Sequence, residues 1–239
     1  MNARLFCGSI LALCGLASLG CNHLSGKPSA GAEAVRPDKV TDFSQLYTQN
    51  CSACHGADGQ HGAAIALANP VYQAIVDEGT LRDVITNGEP GTLMPAFAQS
   101  AGGMLTDEQV NALVSGMRSR WYRADALQGA DVPPFKTTKQ GDSAHGQQVF
   151  TADCARCHTT GVQQQNKKSS SITDGSYLAL ISDQSLRAII IAGRPDLGHP
   201  DWRNVQPGHP MSDQDVTDVV AWMASQRQKT PGQPYPTQQ

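Results

Sequence analysis

The chain has 239 residues, a formal net charge of −3 and only 5% aromatic side chains. Apart from Lys167-Lys168, read as a solvated loop, no basic run stands out, which argues against a nucleic-acid partner, since phosphate backbones demand concentrated positive charge. The length suits two small domains, but a domain this poor in aromatics has a thin core of its own, so something besides side chains is expected to fill it.

In chain order, residues 1–21 carry Arg4, an apolar stretch from Ile10 to Leu19 and small residues before Cys21. This predicts a secretory signal, too short for a membrane span. Ser18-Leu19-Gly20-Cys21 is similar to a bacterial lipobox, with Ser18 where leucine is usual. The expectation is lipidation at Cys21 on the periplasmic side of a bacterial membrane; a plain cleaved signal or an uncleaved anchor are the alternatives. Cys7 and Cys14 would leave with the leader. Residues 22–39 read as a flexible tether, rich in small and polar residues and proline.

The sequence Cys-Xaa-Xaa-Cys-His occurs twice, as Cys51-Ser-Ala-Cys54-His55 and Cys154-Ala-Arg-Cys157-His158. This is the spacing of covalent haem c attachment: two thiols form thioethers to one porphyrin, and the adjoining histidine falls under the iron. A lone CxxC would also suit a redox dithiol or half a zinc site. Zinc needs four ligands, and each cluster offers three. Two haem c groups are therefore expected, each a large apolar plate around which a thin core can pack.

Residues 69–97 match residues 174–202 without gaps at a constant offset of 105. Tyr72 meets Tyr177, Leu81 meets Leu186, Arg82 meets Arg187, Gly88 meets Gly193, Pro95 meets Pro200 and Phe97 meets Trp202. One residue further out of step, Leu105 meets Met211. A duplicated domain follows, with domain one at 40–122, a linker at 123–140, domain two at 141–228 and a disordered tail at 229–239. Helices are expected over 42–50 and 143–153, leading into the motifs. Others are expected over 80–87 and 185–192 after Thr80 and Ser185 caps, stopped by Gly88 and Gly193. Terminal helices are expected over 106–118 and 212–227, with one apolar face each. No strand pattern appears.

The order CxxCH, polar loop, short helix, Gly-x-Pro, Met-Pro-x-Phe and capped terminal helix resembles the class I cytochrome c family over nearly the whole mature chain. The resemblance implies an all-α fold of two tandem domains, with the helix before each motif packed across the terminal helix. It also implies that the methionine of the Met-Pro loop binds iron opposite the motif histidine. In domain one this gives His55 and Met94, with Met104 and Met117 as weaker competitors. In domain two the residue in register with Met94 is His199, which favours bis-histidine ligation by His158 and His199. Met211 is the alternative, though its register suggests a core residue beside the helix cap, and His209 is a lesser candidate. Arg82 and Arg187 are candidates for haem propionates or for solvent-facing helix positions. His23, His61 and His145 read as solvated.

A methionine ligand raises haem potential relative to a second histidine, so electrons are expected to run from domain two to domain one. The expected role is a di-haem electron carrier or electron-transfer subunit rather than an enzyme. Its donor would be a quinol-oxidising complex or dehydrogenase, and its acceptor an oxidase or another cytochrome. A peroxidase-like enzyme with a displaceable ligand at haem two, and a fixed subunit of a larger respiratory complex, are the alternatives.

Overall fold

The computed structural model describes residues 35–158 and 172–229. The leader, Cys21, His23, Lys167-Lys168 and nearly all of the tail lie outside the described residues. The chain divides into two units, Met1–Lys39 and Val40–Gln239. In the first, the described residues include a 3-10 turn, Pro37–Lys39. The second holds both halves of the repeat.

Among the described residues the fold is helical, with only isolated β-bridges. Domain one comprises α1 (Phe43–Asn50), α2 (Ser52–His55), α3 (Pro70–Ile75), α4 (Glu78–Asn87) and α5 (Asp107–Trp121). Domain two comprises α6 (Ser143–Val149), a π-helical turn Phe150–Cys154, α7 (Gly175–Leu178), α8 (Asp183–Ala192) and α9 (Asp213–Ser225). No described helix is long and apolar enough to cross a membrane.

Both terminal helices start with a reciprocal capping box, Thr106 with Gln109 and Ser212 with Asp215, which satisfies two orphan N–H groups at each start. The caps of α4 and α8 lie three residues earlier than expected. Asp77 and Ser182 accept from the backbone N–H of Thr80 and Ser185 at 2.7 and 3.0 Å, so the expected cap residues are themselves inside the first turn. The short helix α3 was not foreseen, although Asn69 followed by Pro70 is a strong start: the Asn69 side chain accepts from Val71 and Tyr72, and proline suits the first helical position.

In each half the helix entering the haem motif crosses the terminal helix, as the resemblance implied. α1 meets α5 through Phe43, Tyr47 and Trp121, with ring centroids 5.3–5.7 Å apart. α6 meets α9 beside Phe150 and Trp222, whose centroids are 4.5 Å apart. Both crossings need glycine. A Cβ on Gly116 would stand 2.0 Å from the Phe43 ring, and one on Gly146 would stand 1.9 Å from the Asp218 carbonyl oxygen. His145 is exposed, as expected, and its Nδ1 also lies 2.8 Å from the buried Asp218 carboxylate.

The linker is packed rather than free. Leu127, Ala130, Val132 and Phe135 lie against the core, and Phe135 meets Tyr72 edge-on at 6.4 Å. Arg187, 4% exposed, donates to the Pro134 carbonyl at 2.8 and 3.0 Å and to Thr217 Oγ1, and pairs with Asp213. Its guanidinium is thus committed to the linker and α9 and is not free for a propionate, while Arg82 is exposed. Arg187→Met should lower stability by about 1–3 kcal/mol, because the Pro134 carbonyl and Thr217 lose a buried donor while Asp213 keeps Lys139; denaturant unfolding of the haem-loaded chain measures it.

Candidate haem sites

Each motif sits where a helix ends. In domain one, α2 carries Cys54 and His55, and Tyr47 Oη donates to the Gly56 carbonyl at 2.9 Å, anchoring the end of the motif. None of the four motif cysteines is in a disulfide; Cys51 and Cys154 are half-buried, Cys54 and Cys157 exposed. Burial, reinforced by Cys54 in one motif and by Asp153 in the other, pushes the thiols of Cys51 and Cys154 up to about 12. Zinc ligands and redox dithiols need thiolates, which this burial disfavours. Among the described residues no three His, Cys, Asp or Glu side chains converge on a bare metal position.

The three principal histidines are held differently. His55 is 7% exposed and its Nδ1 lies 2.9 Å from the Ile65 carbonyl oxygen. The carbonyl can only accept, so Nδ1 carries the proton and Nε2 keeps its lone pair for iron. The loop bearing Ile65 is pressed onto the motif: Ala64 N–H donates to the Cys54 carbonyl at 2.9 Å, and a Cβ on Gly62 would meet that same oxygen at 2.2 Å. Burial lowers the pKa of His55, His158 and His199, which keeps the imidazoles neutral, the form that binds metal.

His158 and His199 face one another, with ring centroids 5.8 Å apart and planes inclined at 39°. Two imidazoles on opposite sides of one metal, each bonded at about 2 Å, have centroids roughly 6 Å apart. Among the described residues, the Nδ1 atoms of these two rings are the only buried side-chain polar atoms lacking a hydrogen bond. No protein group fixes the proton on either ring as the Ile65 carbonyl does for His55, so the two facing neutral imidazoles can each offer a nitrogen to one added group between them.

The backbone places Met94 and His199 at equivalent points. Glu89 N–H donates to the Met94 carbonyl at 3.0 Å, and Arg194 N–H donates to the His199 carbonyl at 3.0 Å. Each loop leaves its helix through a glycine of positive φ, 68° at Gly88 and 69° at Gly193. A Cβ there would lie 2.6 Å from the Met94 oxygen and 2.5 Å from the Pro200 oxygen respectively. Met94 is half-buried. Met211 is 4% exposed and Met117 2%, whereas Met104 is 79% exposed. Met211 N–H donates to the Trp202 carbonyl as Leu105 N–H does to Phe97, so these two residues share one structural role. His209 is exposed, and His61 sits at the interface between the halves.

That interface was not legible from the motifs. Asn69 Nδ2 donates to the Ala192 and Gly193 carbonyls, and Glu89 accepts from Ser182 Oγ and Ser185 Oγ. Arg194 reaches back to the Gly62 and Ala64 carbonyls. The one available signal was a break in the repeat: Glu89 and Arg194 occupy equivalent positions with opposite charge.

A family model described as cytochrome c oxidase, cbb3-type, subunit III matches residues 38–115, and a cytochrome c model matches residues 143–227. The chain belongs to the cytochrome c family. It is a class I di-haem cytochrome with two covalently bound haem c groups, and its function class is electron transfer. It is similar to a cbb3-type cytochrome c oxidase subunit CcoP of Azospirillum sp. (strain B510), 32% identical over 123 residues, covering 47% of this chain and 36% of that protein. A dihydro-heme d1 dehydrogenase of Pseudomonas aeruginosa is 33% identical over 94 residues, covering 37% of this chain and 18% of that protein. The matched stretches thus span about a third or less of these relatives. A solved chain from a reducing HAO-like protein complex of Kuenenia stuttgartiensis matches 82% of this chain and all of its own length at 16% identity and a TM-score of 0.46.

Proposed function

We propose that this cytochrome is an electron carrier, or the electron-transfer subunit of a respiratory complex, tethered through Cys21 to the periplasmic side of a bacterial membrane. His55 and Met94 hold iron in domain one, and His158 and His199 hold it in domain two. The observation that carries this reading is the matched pair of ligand loops, each closed by the same hydrogen bond from the residue after the helix-ending glycine. These residues would occupy the iron positions open to a substrate, and the haems, when bound, would supply a one-electron Fe(III)/Fe(II) couple. The His/Met set stabilises Fe(II) more than the bis-His set does, so domain one is the higher-potential end.

Its donor is a quinol-oxidising complex or a dehydrogenase, and its acceptor an oxidase or another cytochrome. The similarity of nearly half of the chain to an oxidase subunit supports this class of partner. Redox titration should resolve two midpoints, with Met94→His lowering the higher one; equal midpoints that ignore this change would overturn the assignment. Cys21→Ala should release the protein from membranes into the soluble fraction.

One observation favours a second reading. His199 Nδ1, like that of His158, lacks the well-formed carbonyl bond that fixes His55, so the protein holds these rings less firmly, and a ligand that detaches would open a peroxidase-like site. Rapid binding of carbon monoxide by one reduced haem, with peroxide turnover, selects that reading. Inertness selects the carrier.

A further inference from the structure

The contacts of the Arg194 side chain and backbone span both candidate ligand spheres. Its backbone is paired with that of His199 in both directions, Arg194 N–H to the His199 carbonyl at 3.0 Å and His199 N–H to the Arg194 carbonyl at 2.9 Å. Its guanidinium crosses into domain one, donating through Nη1 to the Ala64 carbonyl and through Nη2 to the Gly62 carbonyl, both at 2.9 Å. Those carbonyls lie in the loop that packs on Cys54 and carries the Ile65 oxygen fixing His55.

The charge is built in deliberately. Asp196 grips the same guanidinium as a fork, at 3.0 Å to Nε and 2.8 Å to Nη2, and its other contact is the His61 N–H of domain one at 2.8 Å. The side chains of Arg194 and Asp196 are only 8% and 1% exposed. A buried ion pair is an expensive way to join two surfaces, since well-packed apolar residues would do as well. A planar fork with five donors can satisfy a carboxylate and two carbonyls at once, which lysine cannot.

We propose that Arg194 is a positioning residue that couples the two haem sites, setting the orientation of His55 in domain one from the loop that carries His199 in domain two. The inference rests on the ligand assignment above. The guanidinium is held against the Gly62 and Ala64 carbonyls, in the loop whose Ile65 oxygen fixes His55. A positive charge fixed beside that loop disfavours Fe(III) there, so Arg194 raises the potential at the His55 site while its paired carboxylate, Asp196, opposes it.

The test uses the full, haem-loaded chain with Arg194→Gln, Arg194→Lys and Asp196→Asn, and reads the midpoint and the low-spin electron paramagnetic resonance signal of each haem. Arg194→Gln should shift the one-electron equilibrium at the His55 haem about tenfold toward the oxidised form, which is about 59 mV, and alter its low-spin signal. Arg194→Lys should keep most of the midpoint but not restore the signal. Asp196→Asn should shift the same haem toward the reduced form; it keeps Arg194 in place and so holds the test open if Arg194→Gln fails to assemble. The proposal falls if the His55 haem is unmoved while only the His199 haem responds, or if the Gln and Asn variants move it in the same direction. The ligand assignment is read separately, from the near-infrared methionine–iron band of the parent protein, so its failure is not confused with failure of the coupling.

Discussion

Alanine in place of His199 is expected to remove the six-coordinate low-spin spectrum from one haem per chain, while Met211→Leu leaves both spectra intact. His199 faces His158 at 5.8 Å between ring centroids, and its backbone repeats the hydrogen bond made at Met94. Met211 is 4% exposed within the core and takes the place of Leu105. Met211→Leu conserves volume and should cost less than about 1.5 kcal/mol. His199→Met should restore a six-coordinate spectrum with a raised midpoint at that haem. Loss of the low-spin signal in Met211→Leu, with His199→Ala unchanged, would reverse the assignment.

Trp202→Ala is expected to cost about 3–5 kcal/mol in the unfolding of the haem-loaded protein, the range for emptying a large aromatic from a core. The indole is 0% exposed. Its own N–H and C=O tie Ile191 of α8 to Met211 just before α9, so the side chain fills the junction of both helices with the ligand loop. The equivalent Phe97→Ala should cost less, because Phe97 is only partly buried. A loss at Trp202 smaller than that at Phe97 would show that the core of domain two is not organised around the indole.

The cap residues show where local reading reaches its limit. Asp77 and Thr80, or Ser182 and Ser185, could each begin a helix by the same rule. The choice fell to the earlier residue because its side-chain oxygen meets the N–H three residues on, and a full extra turn then packs. The linker shows the same limit: nothing local in its prolines and polar residues signals packing, yet Arg187, 53 residues from Pro134, binds that carbonyl. A contact at such separation leaves no periodic trace.

The sequence alone determined the two haem motifs, the helical repeat and the register that sets His199 against Met94, because each depends on spacing along a single segment. The packing of the halves into one body and the reach of Arg194 into the loop behind His55 were decided only by the tertiary structure. Those features arise where segments more than 50 residues apart compete for the same donors, carbonyls and apolar volume, and that competition is settled only when both are present.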